Sequence, residues 1–202
     1  MFIESRKFTP DQIYFLMIQT IIPRPIAWVL SDNGNATYNL APFSFFNGIT
    51  SEPPLLMIAA GLKDDGTRKD TWVNIEERKE FVVHVPSGEI AQNVVASAAD
   101  WPHGVSEIDK LNMTVENVPG MRLPRVVGAK VAFFCTRYAI YEVGEGPQGL
   151  ILGQIQSIWL DDSIVAEKNG RFIIDYGQFN PLSRLGGHNY ALLGETLTLK
   201  RP

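Results

Sequence analysis

Cysteine is nearly missing from this 202-residue chain, which has Cys135 alone. One thiol excludes an internal disulfide and any metal site built from several thiolates. It sits in AKVAFFCTRYAIYEV, where a small buried side chain in a strand is the expected role. Histidine is also scarce: His84, His103 and His188 show no HxH or HExxH spacing, so no dedicated zinc site is expected. No apolar run approaches the roughly 18 residues of a spanning helix. The N-terminal MFIESRKFTPDQ carries charges where a signal peptide needs apolar residues, so the expectation is a cytoplasmic protein with no membrane partner. Long basic runs are lacking and the formal net charge is -4, which removes nucleic acid as an expected partner. No GxGxxG follows the first strand, so there is no Rossmann site for a nicotinamide nucleotide. Internal repeats and low-complexity segments are absent too.

Apolar residues make up 45% and charged residues 20%, the balance of a soluble globular chain, and the length fits one domain over 1–202. TPDQIYFLMI predicts an opening helix, with Thr9 as N-cap, Pro10 at its first position and Gln12 completing a capping box. Two prolines keep PRPIAWVLS out of a helix interior, and its Ile, Trp and Val content predicts a strand. Asn33-Gly34 predicts a hairpin turn after it. PPLLMIAAGL reads as a buried strand and TWVNIEERKE as a surface helix with Trp72 and Ile75 inward. FVVHVPS is a strand, GEIAQNVVASAAD a helix and SEIDKLNM a helical turn. From Val126 the texture becomes β-rich, through GAKVAFFCTRYAIYEV, QGLILGQIQSIWL and GRFIIDYGQF, the last following a polar loop DDSIVAEKN. Strands with helices inserted among the early ones predict an α+β protein on an antiparallel barrel.

Three motifs could carry chemistry. YNLAPFSFF, residues 38–46, is an aromatic-rich run interrupted by Asn39, Pro42 and Ser44. Proline removes a donor, so the strand is expected to leave its ladder near Ala41-Pro42 and free backbone groups for a planar polar ligand. A bulged edge strand would need no ligand. In GTRKDTWVN, Arg68 and Lys69 stand at the entrance of the predicted helix and Thr71 in its first turn, where unpaired N–H groups favour a phosphate. Thr67 with Asp70 equally fits a plain capping pattern. In SRLGGHNYA the paired glycines permit positive φ and close approach, with His188 and Tyr190 flanking; a simple turn fits as well.

Taken together, IIPRPIAWV, NLAPFSFF, SEPPLLMI, RKDTWVNI and RLGGHNY, in this order from about Pro23 to Tyr190, resemble the flavin reductase-like family of FMN-binding split-barrel proteins. The resemblance implies an α+β fold with an antiparallel, Greek-key split β-barrel and peripheral helices. It implies that Asn39, Leu40, Ala41, Pro42 and Ser44 lie along the isoalloxazine and ribityl chain of FMN. Arg68, Lys69, Asp70 and Thr71 would hold the phosphate, with Asp70 orienting its neighbours. Arg24, His188 and Tyr190 would lie near the ring. Members are typically homodimers, so the Gly186–Tyr190 loop would serve the partner's site. The implied activity is NAD(P)H-dependent flavin reduction, with NADH or NADPH as co-substrate docking in an open groove and a redox partner protein possible. An electron-transfer flavoprotein of flavoredoxin type, and a non-catalytic barrel for another phosphorylated ligand, are the alternatives.

Overall fold

The structure, a computed structural model, describes residues 2–200. Helix α1 (Pro10–Thr20) begins with the expected box: Thr9 Oγ1 accepts the Gln12 N–H at 3.3 Å, and Gln12 Oε1 accepts the Thr9 N–H at 3.0 Å. Strands β1 (Arg24–Pro25), β2 (Ala27–Asp32), β3 (Tyr38–Phe43), β4 (Phe46–Ser51) and β5 (Pro54–Ala60) follow. Next come α2 (Asp70–Arg78), β6 (Glu80–Val85), α3 (Ala91–Ala96) and α4 (Glu107–Lys110). The rest is β-rich: β7 (Val115–Glu116), β8 (Arg125–Val126), the long β9 (Val131–Val143) and β10 (Gln148–Leu160), then β11 (Val165–Lys168) and β12 (Arg171–Ile174). Helix α5 (Tyr176–Phe179) and strands β13 (Ser183–Arg184) and β14 (Tyr190–Ala191) end the ordered elements.

Seven strands form one antiparallel sheet in the order β3-β2-β6-β9-β10-β5-β4. Its two edges, β3 and β4, are consecutive in the chain and separated only by Ser44 and Phe45. The sheet must therefore curl until its edges approach one another. The expected barrel is nevertheless not closed, because no ladder joins β3 to β4 among the described residues. Local chemistry accounts for this: Pro42 offers no N–H, and the Leu40 N–H, two residues earlier on the same edge, is taken by Glu107 at 2.7 Å.

Strand β2 alternates poorly in sequence because both its faces are buried. Ile26, Trp28 and Leu30 pack with Leu40, Val82 and Phe134 on one side, under α3 and α4. Ala27 and Val29 meet Ile58, Phe81, Ile151 and the Trp72 and Ile75 of α2 on the other. Cys135 lies in this second core, where burial pushes its thiol far above the ordinary range. Trp72 lies so close to β10 that a Cβ on Gly149 would come within 2.6 Å of the indole, so only glycine permits α2 to dock there.

Three expectations change. The ladder does not break at Ala41-Pro42: Pro42 pairs Trp28 and Phe43 pairs Ala27, and the chain leaves only at Ser44. Phe46 then opens the separate strand β4. The loop DDSIVAEKN contains β11, which turns back into β12 through Asn169-Gly170, both at positive φ. GRFIIDYGQF is a strand only to Ile174; Asp175 then accepts the Gln178 N–H at 3.0 Å and starts a helical turn.

Candidate functional site

Helix α2 begins without a side-chain cap. Lys69 occupies the N-cap position, and its side chain has no oxygen to offer the helix. Thr67 does not act as the cap, since its hydroxyl bonds Asp65 Oδ1 at 2.6 Å. The N–H groups of Trp72 and Val73 are the first to bond back, to Lys69 O at 2.9 and 3.2 Å. Those of Asp70 and Thr71 stand ahead of them, at the positive end of the helix.

This helix start faces a cavity of about 140 Å³. Strand β3 contributes Asn39, Ala41 and Pro42, and α2 contributes Asp70 and Thr71 beside Lys69. Lys63, Trp101 and Glu107 close it from the loops and α4. Asn39 ties strand to helix: its amide donates to Thr71 Oγ1 at 2.8 Å and lies 3.4 Å from Ser31 Oγ. Asn74 extends the network, donating to Ser31 Oγ at 3.1 Å and Asn33 Oδ1 at 3.0 Å. The position of Thr71 is thus fixed by buried hydrogen bonds on two strands. Trp101 Nε1 is buried at the cavity with no hydrogen-bond partner among the described residues.

Two carboxyls behave differently here. Burial raises Asp70, but hydrogen bonds from Lys63 (Nζ at 2.5 Å) and His103 (Nδ1 at 2.9 Å) outweigh it and hold the group below the usual carboxylate range. Asp70 therefore organises Lys63 and His103 around the helix start. Glu107 has no such cation: burial pushes it up to about 7, against the bond from the Leu40 N–H, which lowers it.

The cavity continues on both sides. Past Pro42, Phe43 and Lys69 it opens into a cleft of about 880 Å³, walled by Tyr14 and Met17 of α1, Ser44, Phe45 and the 143–146 turn. Past Lys63, Asp70, Asp100 and Trp101 it meets a shallower cleft of about 860 Å³ that includes Arg68 and His103.

Of the residues singled out in the sequence, Asn39, Ala41, Pro42, Lys69, Asp70 and Thr71 come together around the central cavity. Leu40 turns its side chain into the core and presents only its N–H on this side. Ser44 lines the larger cleft. Arg68 stands apart from the cavity, in ion pairs with Glu76 at 2.7 Å and with Glu142, and stacked 4.6 Å from the Trp72 ring. Arg24 is buried and bonded within the fold: it donates to Ile18 O, Ile21 O and Leu185 O at 2.6, 2.8 and 2.9 Å, and to Ser44 Oγ at 3.3 Å. His188 is exposed and Tyr190 stacks with Arg184; neither lines the three cavities described above. Gly186 does serve a close approach, but to Gln19 of α1, and Gly187 has a φ of +58°. Lys63, Trp101, His103 and Glu107 carried no signal of their own in the sequence, because they reach the site from three separate segments.

Residues 19–178 match the model of the flavin reductase like domain. Among curated proteins, an uncharacterized protein of Aquifex aeolicus is 36% identical over 180 residues, 89% of either chain. Among solved structures, nitrilotriacetate monooxygenase component B from Bacillus cereus superposes with a TM-score of 0.90 at 32% identity, covering 98% of both chains. The 2-nitrobenzoate 2-nitroreductase NbaA of Pseudomonas fluorescens gives 0.89 at 30%, covering 100% of this chain and 96% of that one. With four-fifths of its length inside the family model and relatives above 30% identity along nearly all of it, this chain belongs to the flavin reductase like domain family.

Proposed function

We propose that the chain is an FMN-binding oxidoreductase of split-barrel type that takes electrons from NADH or NADPH. The observation that carries this reading is the uncapped start of α2, with Lys69 and Thr71, facing a phosphate-sized cavity that opens along β3 into a ring-sized cleft. The donor set fits a flavin mononucleotide. Two free helix N–H groups, a lysine and a hydroxyl suit the phosphate. Pro42, Ser44, Phe45 and Tyr14 offer a mostly apolar wall with a hydroxyl for the ring. When bound, the flavin supplies the hydride and electron chemistry, and the chain's own residues hold and orient it. Family membership supports a reductase, and the relatives named for a monooxygenase component and a nitroreductase both belong to redox chemistry.

The decisive measurement is a visible spectrum of the purified protein followed by anaerobic addition of NADH or NADPH. Flavin bands that bleach support the enzyme; bands that stay leave an electron carrier; their absence after incubation with FMN would overturn the reading. Lys69→Ala is expected to weaken FMN by about 2 kcal/mol, roughly 30-fold, and riboflavin hardly at all, because only FMN carries the anion. Equal losses for both ligands in fluorescence titrations would remove Lys69 from the phosphate site.

The same reading includes a homodimer. Phe15 of α1, Tyr138 and Tyr141 of β9 and Ile158 of β10 are exposed in the isolated chain, and the His188–Tyr190 segment lines none of the three cavities described above. A second copy would cover the apolar side chains and receive the late loop at its flavin. Light scattering is expected to give twice the chain mass; a flavin-loaded monomer would contradict the shared site.

A further inference from the structure

The three adjoining cavities have an order. The large cleft beside Ser44 and the shallow cleft beside Arg68 share no lining residue, and the small cavity at the start of α2 overlaps each of them. If FMN lies as proposed, its phosphate occupies the middle, and anything attached beyond that phosphate must enter the shallow cleft. In a flavin adenine dinucleotide that attachment is a second phosphate followed by adenosine.

The shallow cleft offers room but the wrong charge. Asp64, Asp65 and Asp100 line it. Its two obligate cations are already neutralised, Lys63 by Asp70, and Arg68 by Glu76 and Glu142. We infer that the wall formed by Asp64, Asp65 and Asp100 makes this site select flavin mononucleotide over flavin adenine dinucleotide. The inference rests on the FMN reading above and adds to it the residues that set the size of the flavin.

Two effects act in the same direction. A phosphomonoester brings about -1.5 to -2 charges to the helix start at neutral pH. A dinucleotide brings one charge there and places the other against three carboxylates, without a free cation to answer it. The first effect favours the mononucleotide by attraction at the helix start, and the second adds a repulsion that only the dinucleotide meets.

Titration of the flavin-free chain with riboflavin, FMN and FAD, read by fluorescence at low salt, tests this. FAD is expected to bind about tenfold more weakly than FMN, and the gap to shrink as salt screens the wall. The double variant Asp64→Asn, Asp100→Asn is expected to narrow the FMN-to-FAD ratio by about threefold or more. Both residues are exposed, so the variant should melt with the wild type. Asp65 stays in place because its carboxylate accepts the Thr67 N–H at 2.9 Å and shapes the loop before α2. Equal affinity for FMN and FAD in the wild type, or an unchanged ratio in the variant, would overturn the inference while leaving a flavin site intact. Failure of all three flavins to bind would overturn the FMN reading itself, and the selectivity with it.

Discussion

Replacing Arg24 by alanine is expected to cost the flavin-free protein about 4 kcal/mol. Arg24 is 4% exposed, and its guanidinium serves four acceptors on three parts of the chain. Ile18 O and Ile21 O belong to the C-terminal end of α1, where unpaired carbonyls and the helix dipole favour a cation. Leu185 O belongs to the late β13–β14 hairpin and Ser44 to the link between the two sheet edges. Truncation would leave these acceptors without their donor and open a cavity where the side chain had been. Each orphaned buried carbonyl costs about 1–3 kcal/mol, and water reaching the outer two recovers part of that. Lysine should not rescue, because one ammonium cannot match a planar fork directed at separate carbonyls. Urea denaturation of flavin-free wild type, Arg24→Ala and Arg24→Lys would measure this. A loss under 1 kcal/mol, with Ser44-side flavin affinity impaired instead, would return Arg24 to the role the sequence resemblance implied.

Arg24 marks a boundary in what a sequence discloses. Its neighbours in PRPIAWV were readable as a strand because apolar content and proline placement are local properties. Which carbonyls its guanidinium serves is set by residues as far along the chain as Leu185. The same division runs through the site. Asn39, Pro42, Lys69 and Thr71 were legible because each sits in a short motif whose backbone consequence is local: an edge strand that cannot donate, a helix start that is not capped. Arg68 looked equally suitable for an anion, but Glu76 one helix face away and Glu142 on β9 occupy it. Lys63, Trp101 and Glu107 complete the cavity, and His103 the cleft beside it, from loops and a four-residue helix, where no periodicity exists to be read. In the fold, the Asn169-Gly170 turn carries a hairpin signal, but Glu167, Lys168 and Arg171 around it are charged and show no apolar alternation. Asp175 likewise ended a strand-like run by capping a helical turn within it.

The pH dependence of stability is expected to reveal two buried groups that work against each other. His84 is wholly buried; Nδ1 donates to Trp28 O at 3.0 Å and Nε2 accepts the Val126 N–H at 3.0 Å, an arrangement only the neutral ring can make. Burial, reinforced by the charge of Arg125 and partly offset by the Trp28 carbonyl, lowers it from 6.5 to about 4. Between these values the unfolded chain binds the proton and the folded chain does not. Stability from His84 is therefore complete above pH 6.5 and lost as the pH falls toward 4, on the order of 3 kcal/mol. Glu107 has the opposite sign. Burial raises it from 4.5 to about 7, Asp70 adds to the rise and Lys63 opposes it, so the folded chain keeps a proton the unfolded chain has released. Its contribution is complete below pH 4.5 and lost as the pH rises through about 7. Over the shared interval the two nearly cancel, and the flavin-free wild type should show a flat profile. Glu107→Gln keeps an oxygen for the Leu40 N–H and removes the titration. The variant should match the wild type at pH 4.5 and exceed it by on the order of 2 kcal/mol at pH 8. Its own profile should fall steeply between pH 6.5 and 4, where His84 acts unopposed. A difference between variant and wild type that does not change with pH would mean that Glu107 is charged in the folded protein throughout. A flat profile for the variant below pH 6.5 would mean that His84 takes up its proton without cost to the fold.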